Sequence, residues 1–600
     1  MAKNTFLSAG VYTREFDLSF LPEEISAVGA AVIGPTTRGP AMVPISISTY
    51  SEYLRWFGDV FSSGSGAQEK DYKYLTTYAV QEYLRWGELI TVMRVMGDNY
   101  APADSYVASA TAGQTSFKLV ALSDGEITNS GESAASSAGS GSASDLVVSG
   151  SGLLVSGSKY NMRWEVANVD NSRGTFNLFI RRGDDNDRRK IILEQYVGLS
   201  LDPNTNNYIT KVIGDQTHAL RYDSSGAPYL EITGSYQNKS RFVRVTEVKN
   251  TLNYLTNEGT VRDGALSGSL PAAVSGTFSN GSDGNVSHPR AMYHDIYNNN
   301  TQGLNPAVAA NGKTAYEDAI DILSNKDQFD FDLLFMPGLI DGLSDHARII
   351  TRAINMVEDR GDALFVIDPT TKGSTVGQAQ TAADGRNTNY GCFYYPWVQI
   401  TDPDLGGNYW VPPSAIVPSV YSFNDYVSEK WFAPAGLNRG GLDMAVQTER
   451  FMTQNDRDNL YLKNVNPIAT YPRSGVVVWG QKTLQKKRSA LDRINVRRLL
   501  IAAKRFVAQT AKTLVFEQNT DETRARFINI TEPFFERARE RQGVYDYRII
   551  IDERNNTPDV IDRNEMRAQI YLKPTKTAEF IIVDFVVLPT GAEFPIDNAE

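Results

Sequence analysis

The sequence predicts an α+β multidomain fold: an α/β core in which helices cover a sheet, a β-rich insertion protruding from that core, and a C-terminal α+β domain. Three observations carry this reading. Residues 315–323, 331–335, 346–357 and 363–367 alternate between helical and strand patterns, which describes a sheet with covering helices. An earlier α/β stretch at 28–97 breaks off at Gly97 and resumes only near residue 310. The last 125 residues or so hold a long helix with one apolar stripe, followed by strands. At about 150 residues per domain, 600 residues leave room for about four.

Residues 1–20 read as an arm. Val11, Thr13 and Glu15 alternate with Tyr12, Arg14 and Phe16, and neither face is purely apolar, so an edge or intermolecular strand fits better than a core strand. The apolar run 30–33 stops at Gly34-Pro35. Residues 71–86 are expected to form a helix closed by Gly87, with a strand at 89–95. Residues 101–160 are rich in Ser, Gly and Ala, a composition that buries too little apolar area to order firmly. Strand alternation returns at 175–180 and 190–193. In the resumed core, the strand 331–335 is expected to close at Met336-Pro337-Gly338 and the strand 363–367 at Asp368-Pro369. Residues 476–479 form a strand and 491–516 the longest helix. Leu491, Ile494, Leu499, Ala503, Phe506, Val507 and Leu514 lie on or near one stripe of that helix, and Thr510 shares it. Strands follow at 547–551, 566–572 and 580–588. The expected organisation is an arm at 1–20, a discontinuous core at 21–97 with 286–400, the outward-facing insertion at 98–285, a C-terminal domain at 401–575, and a terminal strand or arm at 576–600.

The chemistry-bearing residues are few. One cysteine, Cys392, excludes an intramolecular disulfide and a Cys-rich zinc site, and four histidines (His218, His288, His294, His346) leave little for metal or acid–base work. There is no Gly-x-Ser-x-Gly elbow, His-Glu-x-x-His, P-loop or EF-hand loop, so neither an enzyme, a metal site nor a cofactor is expected. The clusters Asp184-Asp185-Asp187 and Asp402/Asp404 read as solvated turns, the first paired locally with Arg188-Arg189-Lys190. His346, opening a helix, reads as a surface or capping residue. Cys392, among Phe393, Tyr394 and Tyr395, reads as a small core residue. No run of 18 apolar residues exists and the N-terminus lacks a signal peptide's apolar core, so membrane insertion is not expected and cytoplasmic synthesis is. A net charge of −11 argues against general nucleic-acid binding.

Charge is distributed unevenly. Lys482, Lys486, Lys487, Arg488, Arg493, Arg497, Arg498, Lys504 and Arg505 stand against one acid, Asp492, inside an acidic chain. Such a segment fits an acidic partner surface, or else a solvated helix face. The second feature is the strand 580–588, apolar on both faces except for Asp584. It is either a central strand of its own domain or one inserted into a neighbour's sheet.

The residues resemble the contractile tail sheath proteins of myovirus-type bacteriophages. Ser8-Ala9-Gly10-Val11-Tyr12 is similar to the family's Ser/Pro-Gly-Val-Tyr opening, with Ala9 in place of the commoner Pro. Gly34-Pro35 with Arg38-Gly39-Pro40, Val411-Pro412-Pro413-Ser414 and Ala433-Pro434-Ala435-Gly436 resemble its turn and middle motifs. Val478-Trp479-Gly480, Ile494-Asn495-Val496-Arg497-Arg498-Leu499, Phe516-Glu517-Gln518-Asn519, Asn555-Asn556-Thr557-Pro558 and Val560-Ile561-Asp562-Arg563 resemble its C-terminal domain. Ile180-Arg181-Arg182-Gly183-Asp184-Asp185 and Leu201-Asp202-Pro203-Asn204 resemble the large-sheath subgroup.

The resemblance implies a structural subunit of the virion tail, assembled in the host cytoplasm. Its partners would be itself, in hexameric rings and a helical polymer, the tail tube protein, and baseplate and tail terminator proteins. A metastable extended assembly would contract and drive the tube through the host envelope. The resemblance further implies a tube-proximal C-terminal sheath domain with exchanged terminal strands. The arm strands would be Val11, Tyr12, Thr13, Arg14, Glu15 and Phe16 at one end and Phe580, Ile581, Ile582, Val583, Phe585 and Val587 at the other. The nine cations from Lys482 to Arg505 would face the tube. The alternative is the sheath of a phage-derived contractile particle, pyocin-like or secretion-system-like; those sheaths are usually shorter, so the insertion at 98–285 favours a phage.

Overall fold

A computed structural model describes residues 28–63, 70–129, 159–186, 188–286 and 296–579. Both predicted arm strands, at 11–16 and 580–588, lie outside the described residues. The chain divides into two compact units: the first runs to Leu339 and adds Leu343–Phe365, and the second takes Ile340–Gly342 and continues from Val366. It is a mixed α/β chain with several sheets.

The first unit is built on strands that are apolar on both faces and therefore need cover on both sides. Gly29–Gly34 pairs in parallel with Ile90–Arg94 and with Phe331–Ile340, placing Ala30 opposite both Ile90 and Leu333. Ile45–Ile47 joins antiparallel beyond Ile90–Arg94. The helices Leu75–Tyr83 and Lys313–Leu323 cover Gly29–Gly34. Two boundaries differ from expectation. The first helix starts at Leu75, not Asp71, because Asp71 and Tyr72 pair as a strand with Ser62 and Phe61. The strand at Phe331 continues through Met336-Pro337-Gly338 to Ile340, buried throughout. Proline ends a strand by lacking a donor. Here the surrounding carbonyls are taken by side chains: Gln302 Nε2 donates to Pro337 at 3.1 Å, and Thr301 Oγ1 donates to Gly338 at 2.7 Å.

Among the described residues the insertion holds three antiparallel sheets: one of four strands with Met162–Asp170 and Thr175–Arg182 at its centre, one of three around Thr115–Asp124, and a hairpin of Thr217–Tyr222 with Pro228–Thr233. The first two share one core in which Phe117 stacks on Phe176 at 5.7 Å. The described part of 101–160 is therefore more ordered than its composition suggested. Ala103, Val107, Phe117, Leu119 and Ala121 alternate inward within 102–124, while the Ser/Gly/Ala excess is concentrated at 133–145, outside the described residues. The chain leaves and re-enters at neighbouring points, where Ala101 N donates to Ser282 O at 3.0 Å. The reading of Asp184-Asp185-Asp187 as a solvated turn also changes. Asp185 is buried and pairs with Arg181 at 2.6 Å and Arg163 at 3.3 Å, not with the cations at 188–190. Asp187 lies outside the described residues.

His346 is fully buried rather than on the surface. Its Nε2 lies 3.1 Å from the Tyr297 carbonyl, which only an N–H can satisfy. Burial pushes its pKa down to about 4, so it is a neutral donor holding the 297–300 turn against the helix Ser344–Arg360.

In the second unit, Gly391–Tyr395 runs parallel to Val465–Tyr471, and Gly475–Val478 follows antiparallel. Cys392 is buried, with its sulfur 3.5 Å from the Tyr421 hydroxyl. Asp402 is buried and accepts from the backbone of Asp404 at 2.7 Å and Leu405 at 3.2 Å, so this too is a built turn, not a solvated one. The helix Ile494–Lys512 matches the predicted stripe but is not the longest. Asp521–Glu540 has 20 residues to its 19. Periodicity missed it because Pro533 interrupts it and charges surround its apolar face of Phe527, Phe534, Phe535 and Ala538.

Candidate subunit-docking site

The two long helices lie on a β-hairpin, Val544–Ile550 paired antiparallel with Gln569–Pro574. Phe506 stacks on Phe534 at 4.7 Å, and Phe535 stacks on Tyr547 at 5.5 Å, so the helix pair and the inner face of the hairpin form one layered core. Ile570 and Leu572 turn inward while Gln569, Tyr571 and Lys573 face solvent. Among the described residues this sheet has only two strands. A two-stranded sheet is marginal alone, and an edge with no further strand presents its N–H and C=O groups for one.

The chain returns from Gln569–Pro574 into a clamp. Arg493 donates from Nε and Nη2 to the two carboxylate oxygens of Glu579, at 2.7 and 2.9 Å. The Tyr461 hydroxyl also donates to Glu579, and Gln481 Nε2 donates to Glu579 at 3.1 Å and to Thr577 at 2.5 Å. A bidentate guanidinium–carboxylate pair fixes direction as well as distance. Burial raises the Glu579 carboxyl, but the bonds from Arg493 and Tyr461 outweigh it and leave it below the usual carboxylate range. The residue after Glu579 begins the predicted terminal strand. Sequence reasoning missed Glu579, Tyr461 and Gln481; the available signal was an acid immediately before an apolar strand, which reads equally well as a turn.

The structure divides the nine predicted basic residues. Arg498 is buried and forms a bidentate pair with Asp425 at 2.7 and 2.6 Å. Arg497 is buried with its guanidinium 3.6 Å from the centre of the Tyr390 ring, and Arg505 is buried. Lys482 lies 4.0 Å from the centre of the Tyr461 ring and donates to the Tyr461 carbonyl, while Arg493 serves the clamp. Burial, then the nearby Arg493, pushes the Lys482 ammonium below its ordinary range. Lys486, Lys487, Arg488 and Lys504 remain exposed. Five of the predicted nine thus hold the unit together, because planar guanidinium groups sit well against carboxylates and aromatic faces in its interior.

Beside the clamp lies a groove of about 950 Å³ whose lining includes Trp431, Trp479, Tyr545 and Lys576. At the far end of the helix pair, the connecting turn carries Phe516, fully exposed and with φ of +72°. It is the only aromatic residue with positive φ among the described ones. That region costs a bulky side chain about 1–2 kcal/mol.

The clamp is partly buried, so it is expected to be worth more than a surface pair. Arg493→Ala should lower stability by about 2 kcal/mol, and a double-mutant cycle with Glu579→Gln should show coupling above about 1 kcal/mol in urea unfolding. Since Glu579 is depressed in the fold, this contribution is whole above its ordinary pKa of 4.5 and is lost as pH falls below it. Coupling under about 0.3 kcal/mol would mark a surface pair instead.

Residues 309–484 match the phage tail sheath protein central domain and residues 486–587 the phage tail sheath C-terminal domain. The chain is 36% identical over 232 residues to the tail sheath protein of Vibrio phage KVP40, covering 38% of this chain and 33% of that protein. It is 37% identical over 187 residues to the tail sheath protein of Enterobacteria phage T4, covering 31% of this chain and 28% of that protein. The matched stretch thus spans about a third of the length of these relatives. The fold is similar to the crystallised sheath tail protein of Listeria innocua, with TM-score 0.50, 9% identity, and coverage of 92% of this chain and 96% of that one. Residues 309–484 and 486–587 thus carry the central and C-terminal domains of phage tail sheath proteins.

Proposed function

We propose that the chain is the structural subunit of a contractile phage tail sheath. It polymerises as stacked hexameric rings around a tail tube and contracts to drive the tube through the host envelope. The observation that carries this is the hairpin of Val544–Ile550 and Gln569–Pro574, which pairs with no third strand among the described residues and leads into the apolar sequence 580–588. Strand addition satisfies such an edge and gives register through alternate side chains. The strand 580–588 extends the sheet, and the arm at 11–16 of a neighbouring copy pairs beside it. Contraction then moves subunits as rigid bodies while backbone pairing keeps them linked.

The arm's role is tested by deleting residues 1–20. The truncated chain should keep its circular dichroism, since no described core residue is removed, yet fail to sediment as tubes. Long tubes from the truncated chain would contradict the arm's role.

The exposed cations Lys486, Lys487, Arg488 and Lys504 face the tube. Each surface pair is worth about 0–1 kcal/mol, so only a cluster grips, and such a grip releases readily. Reversing Lys486, Lys487 and Arg488 to Glu should weaken pelleting with tubes about tenfold at low salt, and the wild-type interaction should fade at high salt. Tube binding that ignores both the reversal and salt would assign these residues to plain solvated surface.

A further inference from the structure

Phe516 stands where a folded chain gains nothing from it. It is fully exposed, Val515 beside it is also exposed, and its φ of +72° suits glycine far better than phenylalanine. A large aromatic side chain held out on a strained turn is a means of contact. The turn is acidic, with Glu517, Asp521 and Glu522 exposed around it.

The complementary surface belongs to the same unit. The groove of about 950 Å³ offers Trp431, Trp479 and Tyr545, and Arg439, Arg457 and Lys576 also line it. None of these three cations is paired with a carboxylate among the described residues. Arg439 bonds the Ala433 carbonyl at 3.2 Å and Arg457 the Met452 carbonyl at 3.1 Å. Of the two acids there, Glu579 is held by Arg493 and Asp458 is exposed to solvent.

Tip and groove cannot meet within one molecule. Leu499 packs with Val544 at one end of the hairpin, and Leu514 packs with Ile551 at the other. The seven residues of Val544–Ile550 span about 20 Å, which separates Tyr545 from the Phe516 end. The first helix, 19 residues long, likewise puts Phe516 about 28 Å from the basic residues that precede that helix.

Building on the reading that the chain polymerises, we infer that the Phe516 tip of one copy seats in the Trp431–Trp479–Tyr545 groove of the next copy. A knob and a different hole at opposite ends of one unit form a heterologous contact, which repeats from copy to copy instead of closing on a pair. The acidic tip meets the groove's Arg439, Arg457 and Lys576. The contact uses side chains and is distinct from strand addition at the sheet edges.

Two variants test it. Phe516→Gly removes the knob and relieves the positive φ, so the unassembled protein should melt at the same temperature or higher while tube yield falls about tenfold or more. The pair Phe516→Cys with Tyr545→Cys should give a ladder of disulfide-linked multimers when tubes are oxidised, with no ladder from either single variant; Cys392 is buried and stays silent. Wild-type tube yield from Phe516→Gly overturns the inference and leaves polymerisation standing. So does a yield loss accompanied by a lower melting temperature, which would make Phe516 a structural residue, and so does the absence of a ladder from the double variant. A wild-type chain that forms no tubes overturns the polymerisation reading itself.

Discussion

Backbone groups at a sheet edge must pair with something, and among the described residues the hairpin of Val544–Ile550 and Gln569–Pro574 pairs with no third strand. The rest of the C-terminal architecture follows from that constraint. The helices Ile494–Lys512 and Asp521–Glu540 cover one face of the hairpin with Phe506, Phe534 and Phe535, so that face is closed to any partner. The other face carries Tyr571 and Lys573 in solvent. What remains for association is the edges. Edge pairing is sequence-tolerant along its length and directional in its register.

The clamp at Glu579 gives that arrangement a fixed starting point. With Arg493 gripping both carboxylate oxygens and Tyr461 donating to the same group, the chain leaves the described structure in one direction. A terminal strand that swung freely would lose more conformational freedom on pairing, and anchoring its root lowers that loss. Arg498 on Asp425 and Arg497 on Tyr390 hold the first helix from the other side. Most of the positive charge near this helix is therefore spent on rigidity, and Lys486, Lys487, Arg488 and Lys504 are the exposed remainder.

Much of this was legible in the sequence, for identifiable reasons. The helices Lys313–Leu323 and Ile494–Lys512 read correctly because each buries one face and so shows a helical period, and the strand Gly29–Gly34 because it is a short apolar run, buried on both faces and stopped at Gly34-Pro35. The helix Asp521–Glu540 did not, because Pro533 and a dense surface charge mask its apolar stripe. His346 and Asp185 read as surface groups because a polar residue gives no local sign of a partner elsewhere in the chain: Tyr297 for the first, Arg163 for the second. The nine cations failed as a single patch for the same reason. Charge is visible in a sequence, but the carboxylate or ring that absorbs it is placed by tertiary structure. Phe516 was legible only as part of a motif, since exposure and positive φ are properties of the fold.

The most direct measurement of the central claim is a helical reconstruction of the self-assembled polymer at a resolution that traces strands. The account predicts continuous strand density along the edges of the Val544–Ile550 and Gln569–Pro574 hairpin, with at least one added strand traceable to a neighbouring copy. A polymer in which those edges face solvent, or pair only with residues of their own copy, would contradict it.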